Sequence, residues 1–108
     1  MNTKTISVAN DFSATPAGRY KADGPYSGQE FRDKFIIPAL QNYDRVIIDL
    51  DGTLGYGSSF LEESFGGILR VSGYDYETIK KKLEVHSSRT FYSDRVWFFI
   101  KDSANQKK

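Results

Sequence analysis

The alternation of apolar and polar positions is clearest in the middle of the chain. Residues 46–48 (Val-Ile-Ile) form an unbroken β-branched run, which is typical of a buried strand. A glycine-rich turn follows at residues 52–57. Beyond it, apolar residues recur at the spacing of one helix face: Leu61, Phe65, Ile68 and Leu69. The pattern therefore predicts a strand, a tight turn and a helix at the centre of the fold.

Further elements are predicted before this central unit. A short strand is expected at residues 5–8, and another at residues 19–21 within a loop rich in proline and glycine. Ser27 opens an S-x-x-E sequence, the spacing of a capping box, and predicts the start of a helix. Because Pro38 disfavours α-helical geometry at Ile37, we expect this helix to end or kink there.

After the central unit the pattern predicts a short helix, a strand and a terminal element. Asp75 is in position to cap the short helix, and residues 83–86 form the strand. The terminal element, residues 93–104, has a composition that fits either a buried strand or a helix. We favour a helix that is capped at Ser93.

Length and composition narrow the class of protein. Alternating strands and helices in 108 residues predict a single α/β domain, with helices packed on one sheet. Its core is expected to span about residues 5–102, and residues 103–108 to form a tail. The formal charge of +1 gives no general attraction to nucleic acid or to an anionic membrane. The chain contains no cysteine, which excludes thiol catalysis and cysteine-ligated zinc and fits a cytoplasmic protein. We expect no cofactor and no metal in the regulatory interpretation given below.

The turn before the central helix is the best candidate for a functional site. Ser59 and Glu62 repeat the capping-box spacing, so this helix is expected to begin with Ser59 as its cap. A helix start presents unpaired N–H groups and the positive end of the helix dipole. We therefore place the candidate site at residues 55–59.

A local motif in the same region indicates phosphoryl transfer. Residues 47–54 (IIDLDGTL) resemble the D-x-D-G-T motif of the haloacid-dehalogenase-like phosphatases. This resemblance implies that Asp49 is the nucleophile and Asp51 the general acid and base, with a bound magnesium ion. That family carries the motif on its first strand, whereas a strand, a loop and a helix are predicted before it here. The alternative account is that both aspartates only begin a turn.

A longer part of the chain resembles the STAS-like domains, which are related to anti-anti-sigma factors. The resemblance rests above all on residues 57–67 (GSSFLEESFGG), and also on residues 18–20, residues 27–32 and Pro38. It extends over about residues 5–102, and the closer match is to a bacterial STAS-like family of unknown function. It implies a STAS-like α/β fold and a non-enzymatic, regulatory role.

The resemblance also implies a partner and a switch. In anti-anti-sigma factors a kinase of the histidine-kinase-like ATPase type phosphorylates the first serine of the pair and so breaks the complex. By residue matching, Ser58 is the candidate phosphoacceptor and Ser59 its neighbour. The aspartate before the pair in those proteins is Gly57 here, and the glycine after it is Phe60. The alternative is that the two serines only cap the helix.

The expected partner-binding surface is the loop together with the helix start. It consists of Gly55, Tyr56, Gly57, Ser58, Ser59, Phe60 and Glu63. A third interpretation is a sensor of a small anion or nucleotide, with Arg19 or Arg32 as the counter-charge beside the same turn. Residues 66–67 (Gly-Gly) lie within the predicted helix, where glycine is unfavourable, and indicate close packing against that helix.

Overall fold

The sheet positions every other element. The computed structural model describes residues 2–106, and its strands are β1 (Thr3–Ser7), β2 (Arg45–Asp49) and β3 (Leu83–His86). They lie in the order β1-β2-β3 and are all parallel. The predicted central strand is therefore also central in the sheet. This agrees with its β-branched sequence, because a central parallel strand has two neighbours and a buried face.

The helices connect the parallel strands and build the core. Two of them contain a widened, π-helical turn of five residues between α-helical turns. Helix α1 (residues 28–42) consists of Gly28–Phe31, Arg32–Ile36 and Ile37–Asn42; α2 (residues 58–72) consists of Ser58–Leu61, Glu62–Gly66 and Gly67–Ser72; α3 is Tyr76–Lys82 and α4 is Thr90–Gln106. Short helical turns at Val8–Phe12 and Lys21–Asp23 precede α1.

Helix α1 starts where the sequence predicted but does not end there. The Ser27 hydroxyl accepts the N–H of Glu30 at 3.2 Å, which confirms the predicted cap. Of the two alternatives predicted at Ile37, an end is wrong, because the helix continues through Pro38. The N–H of Ile37 bonds to the carbonyl of Arg32, and this wide turn places Pro38 in the first turn of a new α-helical segment. A proline is tolerated there because its missing N–H is not needed.

The segment at residues 19–21 is not a strand. Asp23 accepts the N–H groups of Arg19, at 3.2 Å, and of Tyr20, at 2.8 Å, so that the chain curls into a short helical turn. An aspartate that bonds to backbone N–H groups nearby in the sequence competes with strand pairing. The strand prediction for this segment is therefore wrong.

The remaining elements are close to their predicted positions. The first strand and the strand at 83–86 are confirmed, and the Asp75 carboxylate accepts the N–H of Thr78 at 2.8 Å as the cap of α3. The terminal element is a helix, as we favoured, but it begins at Thr90 rather than after Ser93. It also runs through Gln106, so most of the expected tail is helical; residues 107–108 lie outside the described part of the chain.

The core lies between one face of the sheet and the helices. Ile6 and Ile48, paired across β1 and β2, are buried, whereas Thr5 on the opposite face is exposed. All four apolar positions of the predicted helix stripe are buried: Leu61, Phe65, Ile68 and Leu69. The rings of Phe31 and Phe60 stack with their centroids 6.1 Å apart, joining α1 to α2. The hydrophobic period therefore identified the inner face of α2 correctly.

The starts of α1 and α2 approach each other closely at Gly28. A methyl group at this position would lie 2.6 Å from the carbonyl oxygen of Phe60, which belongs to the backbone of α2. We expect Gly28→Ala to lower the free energy of unfolding by about 1–3 kcal/mol, because two backbones must separate. Chemical denaturation measures this loss. Gln41→Ala, an exposed position on the same helix, is the control and should change stability by less than about 0.5 kcal/mol. Equal stability of the two variants would contradict the close approach.

Candidate functional site

The candidate site follows the carboxyl end of the central strand. The segment that joins β2 to α2 begins at Leu50 and turns at Gly52 and Gly55, whose φ angles are 97° and 141°. Non-glycine residues rarely adopt these angles, which explains the glycine-rich sequence. We call residues 54–59 the serine loop.

The two aspartates of the phosphatase-like motif fasten the segment that leads into the serine loop. The Asp49 carboxylate accepts the N–H of Asp51 at 3.0 Å. The Asp51 carboxylate accepts the N–H and the hydroxyl of Ser88, at 2.8 and 2.9 Å, and so ties this segment to the β3–α4 connection. The motif is also on the second strand along the chain. The geometry therefore favours the turn-forming account of both residues over a nucleophile and an acid.

Tyr56 anchors the loop from within. Its hydroxyl donates to the carbonyl of Leu50 at 2.7 Å, and its ring packs edge-on against Tyr92 with the centroids 5.1 Å apart. The Tyr56 side chain was expected on the partner-binding surface, but the structure turns it inward and half buries it. Burial raises the pKa of Tyr56 to about 12, so that the hydroxyl stays protonated, and remains a donor, even in alkaline solution.

The serine pair lies exposed at the first turn of α2. The helix begins at Ser58, and Gly57 occupies the cap position without a side-chain hydrogen bond. Both Ser58 and Ser59 are exposed, and neither side chain makes a hydrogen bond within residues 2–106. The predicted capping box of Ser59 and Glu62 is wrong, because Glu62 is bonded elsewhere. The hydroxyls are therefore accessible from solvent.

Leu54 is an exposed apolar residue at the beginning of the loop. Its side chain is 84% exposed, although its N–H is fixed to the carbonyl of Ala14 at 2.9 Å. Leu54 is not among the residues expected on the partner-binding surface. The feature of the sequence that could have identified it is a single leucine between turn-forming residues, outside any helical or strand period. Leu54 and the serine pair together give the loop one apolar and two hydroxyl side chains that face outward.

Two residues expected on the partner-binding surface lie in the interior instead. Phe60 is 1% exposed and packs against the rings of Phe31 and Tyr56, with centroid distances of 6.1 and 5.7 Å. Glu63 is also buried. Both residues lie on the side of α2 that faces α1, and their side chains are therefore inside the protein rather than on its outer surface. Gly55 and Tyr56 are half buried, which leaves Gly57, Ser58 and Ser59 as the exposed members of the expected set.

The arginines proposed as anion binders are engaged in a cluster of charges between α1 and α2. Arg32 is buried and bonds to Glu63 through its Nη1 atom at 2.5 Å. Arg19 pairs with Glu62 and, at 3.3 Å, with Glu63; Arg70 pairs with Glu62 at 2.5 Å. Glu62 and Glu63 of α2, together with Asp33 of α1 at 2.9 Å from Arg32, already pair with these three guanidinium groups. The expectation that Arg19 or Arg32 binds an external anion is therefore not supported by the geometry.

The cluster shifts the titration of its members. Burial raises the pKa of Glu62, but hydrogen bonds from Arg70 and Arg19 outweigh burial and lower it overall. The hydrogen bond to Glu62 likewise raises the pKa of Arg19. A carboxylate with a lowered pKa stabilises the fold above the pKa that it has in the unfolded chain. That contribution is lost as the pH falls through the folded-state value.

The predicted glycine pair makes room for this cluster. A methyl group on Gly67 would lie 2.5 Å from the Nη1 atom of Arg32, and one on Gly66 would lie 3.3 Å from the carbonyl oxygen of Phe99. Both glycines are buried. The sequence correctly indicated close packing here, and the structure identifies a buried arginine on one side and α4 on the other.

Three further observations concern metal binding, a surface cleft and membrane-spanning helices. Among residues 2–106, no group of three or more carboxylates or histidines is arranged to hold a metal ion. A small cleft of about 140 Å³ separates the segment after β2 from the β3–α4 connection, and Thr53, Ser87 and Arg89 line it. No helix in the described part of the chain has the length and apolarity needed to cross a bilayer.

Comparison with known proteins identifies one match. The model of a family described as a STAS-like domain of unknown function (DUF4325) matches residues 27–89. The match includes α1, the central strand, the serine loop and β3. No curated protein and no solved structure matches the sequence.

We predict that removing the buried partner of Arg32 is strongly destabilising. Glu63→Ala leaves the buried Arg32 guanidinium with Asp33, at 2.9 Å from its Nε atom, as the remaining carboxylate partner, so the free energy of unfolding should fall by about 3 kcal/mol. Lys34→Ala is the matched control, because the Lys34–Glu30 pair at 2.8 Å is exposed on the lysine side, and its loss should be at most about 1 kcal/mol. Denaturant titration of both variants checks this, and similar losses would show that the Glu63 pair is not buried in solution.

We predict that Tyr56 ionises later than an ordinary tyrosine. Tyrosinate absorbance should show a late step near pH 12 that is missing in Tyr56→Phe. The raised pKa favours the neutral form of Tyr56 in the folded state. The contribution of Tyr56 to stability is therefore present below its unfolded-state pKa of about 10, and it is lost as the pH rises through its folded-state pKa. Tyr20→Phe, at an exposed position, should keep the late step. A late step that persists in Tyr56→Phe would contradict the assignment.

Proposed function

The chain belongs to the STAS-like domain family of unknown function, and from this membership we propose that it is a non-enzymatic regulatory domain that binds a protein partner through the serine loop. The observation that carries the proposal is the exposed pair Ser58–Ser59, whose hydroxyls make no hydrogen bond within residues 2–106, on the same loop as the exposed Leu54; Tyr56 anchors this loop from within. A fixed loop is pre-organised, so that little conformational entropy is lost when a partner binds.

The exposed side chains suit a protein surface better than a small substrate. Leu54 offers an apolar contact, and the serine hydroxyls offer donors and acceptors around it. The two carboxylates that precede the loop, Asp49 and Asp51, are occupied in the turn and at Ser88. This leaves the loop with groups for recognition rather than for acid–base chemistry.

We further propose that phosphorylation of Ser58 controls the contact, with Ser59 as the second candidate acceptor. A phosphate adds about two negative charges at the start of α2, where the helix dipole and the unpaired N–H groups stabilise them within the free protein. The same charges next to Leu54 oppose burial of this surface against a partner. By family resemblance, the partner is an ATPase or kinase with a histidine-kinase-like fold.

Affinity purification from the native host, with and without ATP, tests the docking surface. Leu54→Asp should reduce recovery of a histidine-kinase-like ATPase at least about tenfold, because it places a charge in the proposed contact. Val71→Asp is the matched control: Val71 is also exposed and apolar, but it lies near the far end of α2, about 20 Å from Ser58 along the helix. Equal recovery with Leu54→Asp and wild type would exclude docking through the serine loop.

The switch has its own test. After incubation of the purified pair with ATP, mass spectrometry should find phosphate on Ser58, and Ser58→Asp should weaken binding. Ser58→Ala should keep binding and lose the ATP-dependent release, whereas Ser59→Ala should retain it. Absence of phosphate on both serines would remove the switch and leave the docking proposal standing.

A further inference from the structure

The outer face of α4 carries two aromatic side chains that stay largely exposed within residues 2–106. Phe91 is 64% and Phe98 58% exposed, although the helix buries Val96, Ile100 and Ser103 on its inner side. Phe91 and Phe98 are seven residues apart, which is about two helical turns, so they form one line along the outer face. Single exposed apolar residues are common, but two large aligned ones on one helix indicate a contact surface.

Charged residues flank this line in a particular order. Asp94 and Arg95 come four and three residues before Phe98, and Lys101 and Asp102 three and four residues after it. With about 100° per residue, Arg95 and Asp102 fall on one side of the line, and Asp94 and Lys101 on the other. None of the four makes an ion pair within residues 2–106. Arg95 lies over the rings of Phe91 and Phe99 at 5.5 and 5.4 Å, Lys101 lies over the ring of Tyr76 at 5.8 Å, and Asp102 accepts a hydrogen bond from Gln106 at 2.9 Å. We call these six residues the α4 outer face.

The order of the charges matches a second copy of the same face. Two copies of α4 can lie antiparallel, related by a two-fold axis that passes beside Phe98. On one side of the contact Asp94 then faces Lys101 of the second copy, offset by one residue along the helix. On the other side Arg95 faces Asp102 of the second copy with the same offset. Each pair forms twice by symmetry, and the two Phe98 rings meet at the centre. A groove of about 380 Å³ between Tyr76 and Trp97 gives the neighbouring ring space beside Phe98.

We propose that two copies of this chain associate through the α4 outer face, with the helices antiparallel. Opposed helix dipoles favour this direction over the parallel one. Helix α4 has 17 residues and is about 25 Å long, so the contact is small for a protein–protein interface. The dimer is therefore weak and depends on concentration, with a dissociation constant on the order of tens of micromolar.

Sedimentation velocity over a concentration series tests the association. The wild-type protein should change from monomer to dimer as its concentration rises, and Phe98→Ser should weaken the association at least about tenfold. Tyr20→Ser, which removes an exposed aromatic ring elsewhere, is the control and should dimerise as the wild type does. A wild-type protein that stays monomeric up to millimolar concentration would overturn the proposal, as would an unchanged dimer in Phe98→Ser.

A charge swap tests the direction of the helices. Asp94→Lys alone and Lys101→Asp alone each place like charges together and should weaken the dimer, whereas the double variant restores opposite charges across the axis and should recover it. In a parallel pair, residue 94 instead faces Arg95 of the second copy and residue 101 faces Asp102, so the double variant would be the weakest of all. That result would overturn the antiparallel arrangement. Circular dichroism confirms that each variant is folded.

Discussion

The buried ion pair between Arg32 and Glu63 is the constraint on which the rest of the structure depends. It joins α1 to α2 in the interior, where a lone guanidinium or carboxylate would be strongly unfavourable. Each of the two residues lies in a widened π-helical turn of its own helix. Gly67 leaves the space through which the Arg32 side chain passes. The Arg32–Glu63 pair therefore forms one structural unit with Gly67 and the two π-helical turns.

This unit fixes where the functional surface can be. With Glu63 turned toward α1, the neighbouring Phe60 also enters the core, and in the first half of α2 only Ser58 and Ser59 remain exposed. Tyr56 and Asp51 then fasten the preceding segment to Leu50 and Ser88. The serine pair is thereby displayed on a rigid support although the loop has little regular structure. In the proposed recognition surface, the exposed side chains are therefore separate from the side chains that hold the loop in place.

Helix α4 contributes to the molecule in two ways. Its inner side, with Val96 and Ile100, completes the core, and its N-terminal turn brings Tyr92 to the serine loop. Its outer side carries Phe91 and Phe98, which are more than half exposed. A helix with apolar residues on both sides has no clear amphipathic period. This explains why the sequence of this segment fitted a strand and a helix equally well.

The sequence by itself determined the elements whose signals are local. β-branched residues defined the central strand, helical spacing defined the inner face of α2, and Ser27 and Asp75 marked two helix starts through bonds to N–H groups three residues away. Tertiary structure alone decided which polar groups were already paired. Glu62 has capping-box spacing from Ser59, but Arg19 and Arg70 bind it more strongly than a backbone N–H does. Arg19 is separated from Glu62 by 43 positions, so no local pattern could reveal the pair. The same holds for Phe60 and Tyr56, whose burial follows from the packing of α1 and α4 and not from their own neighbours in the chain.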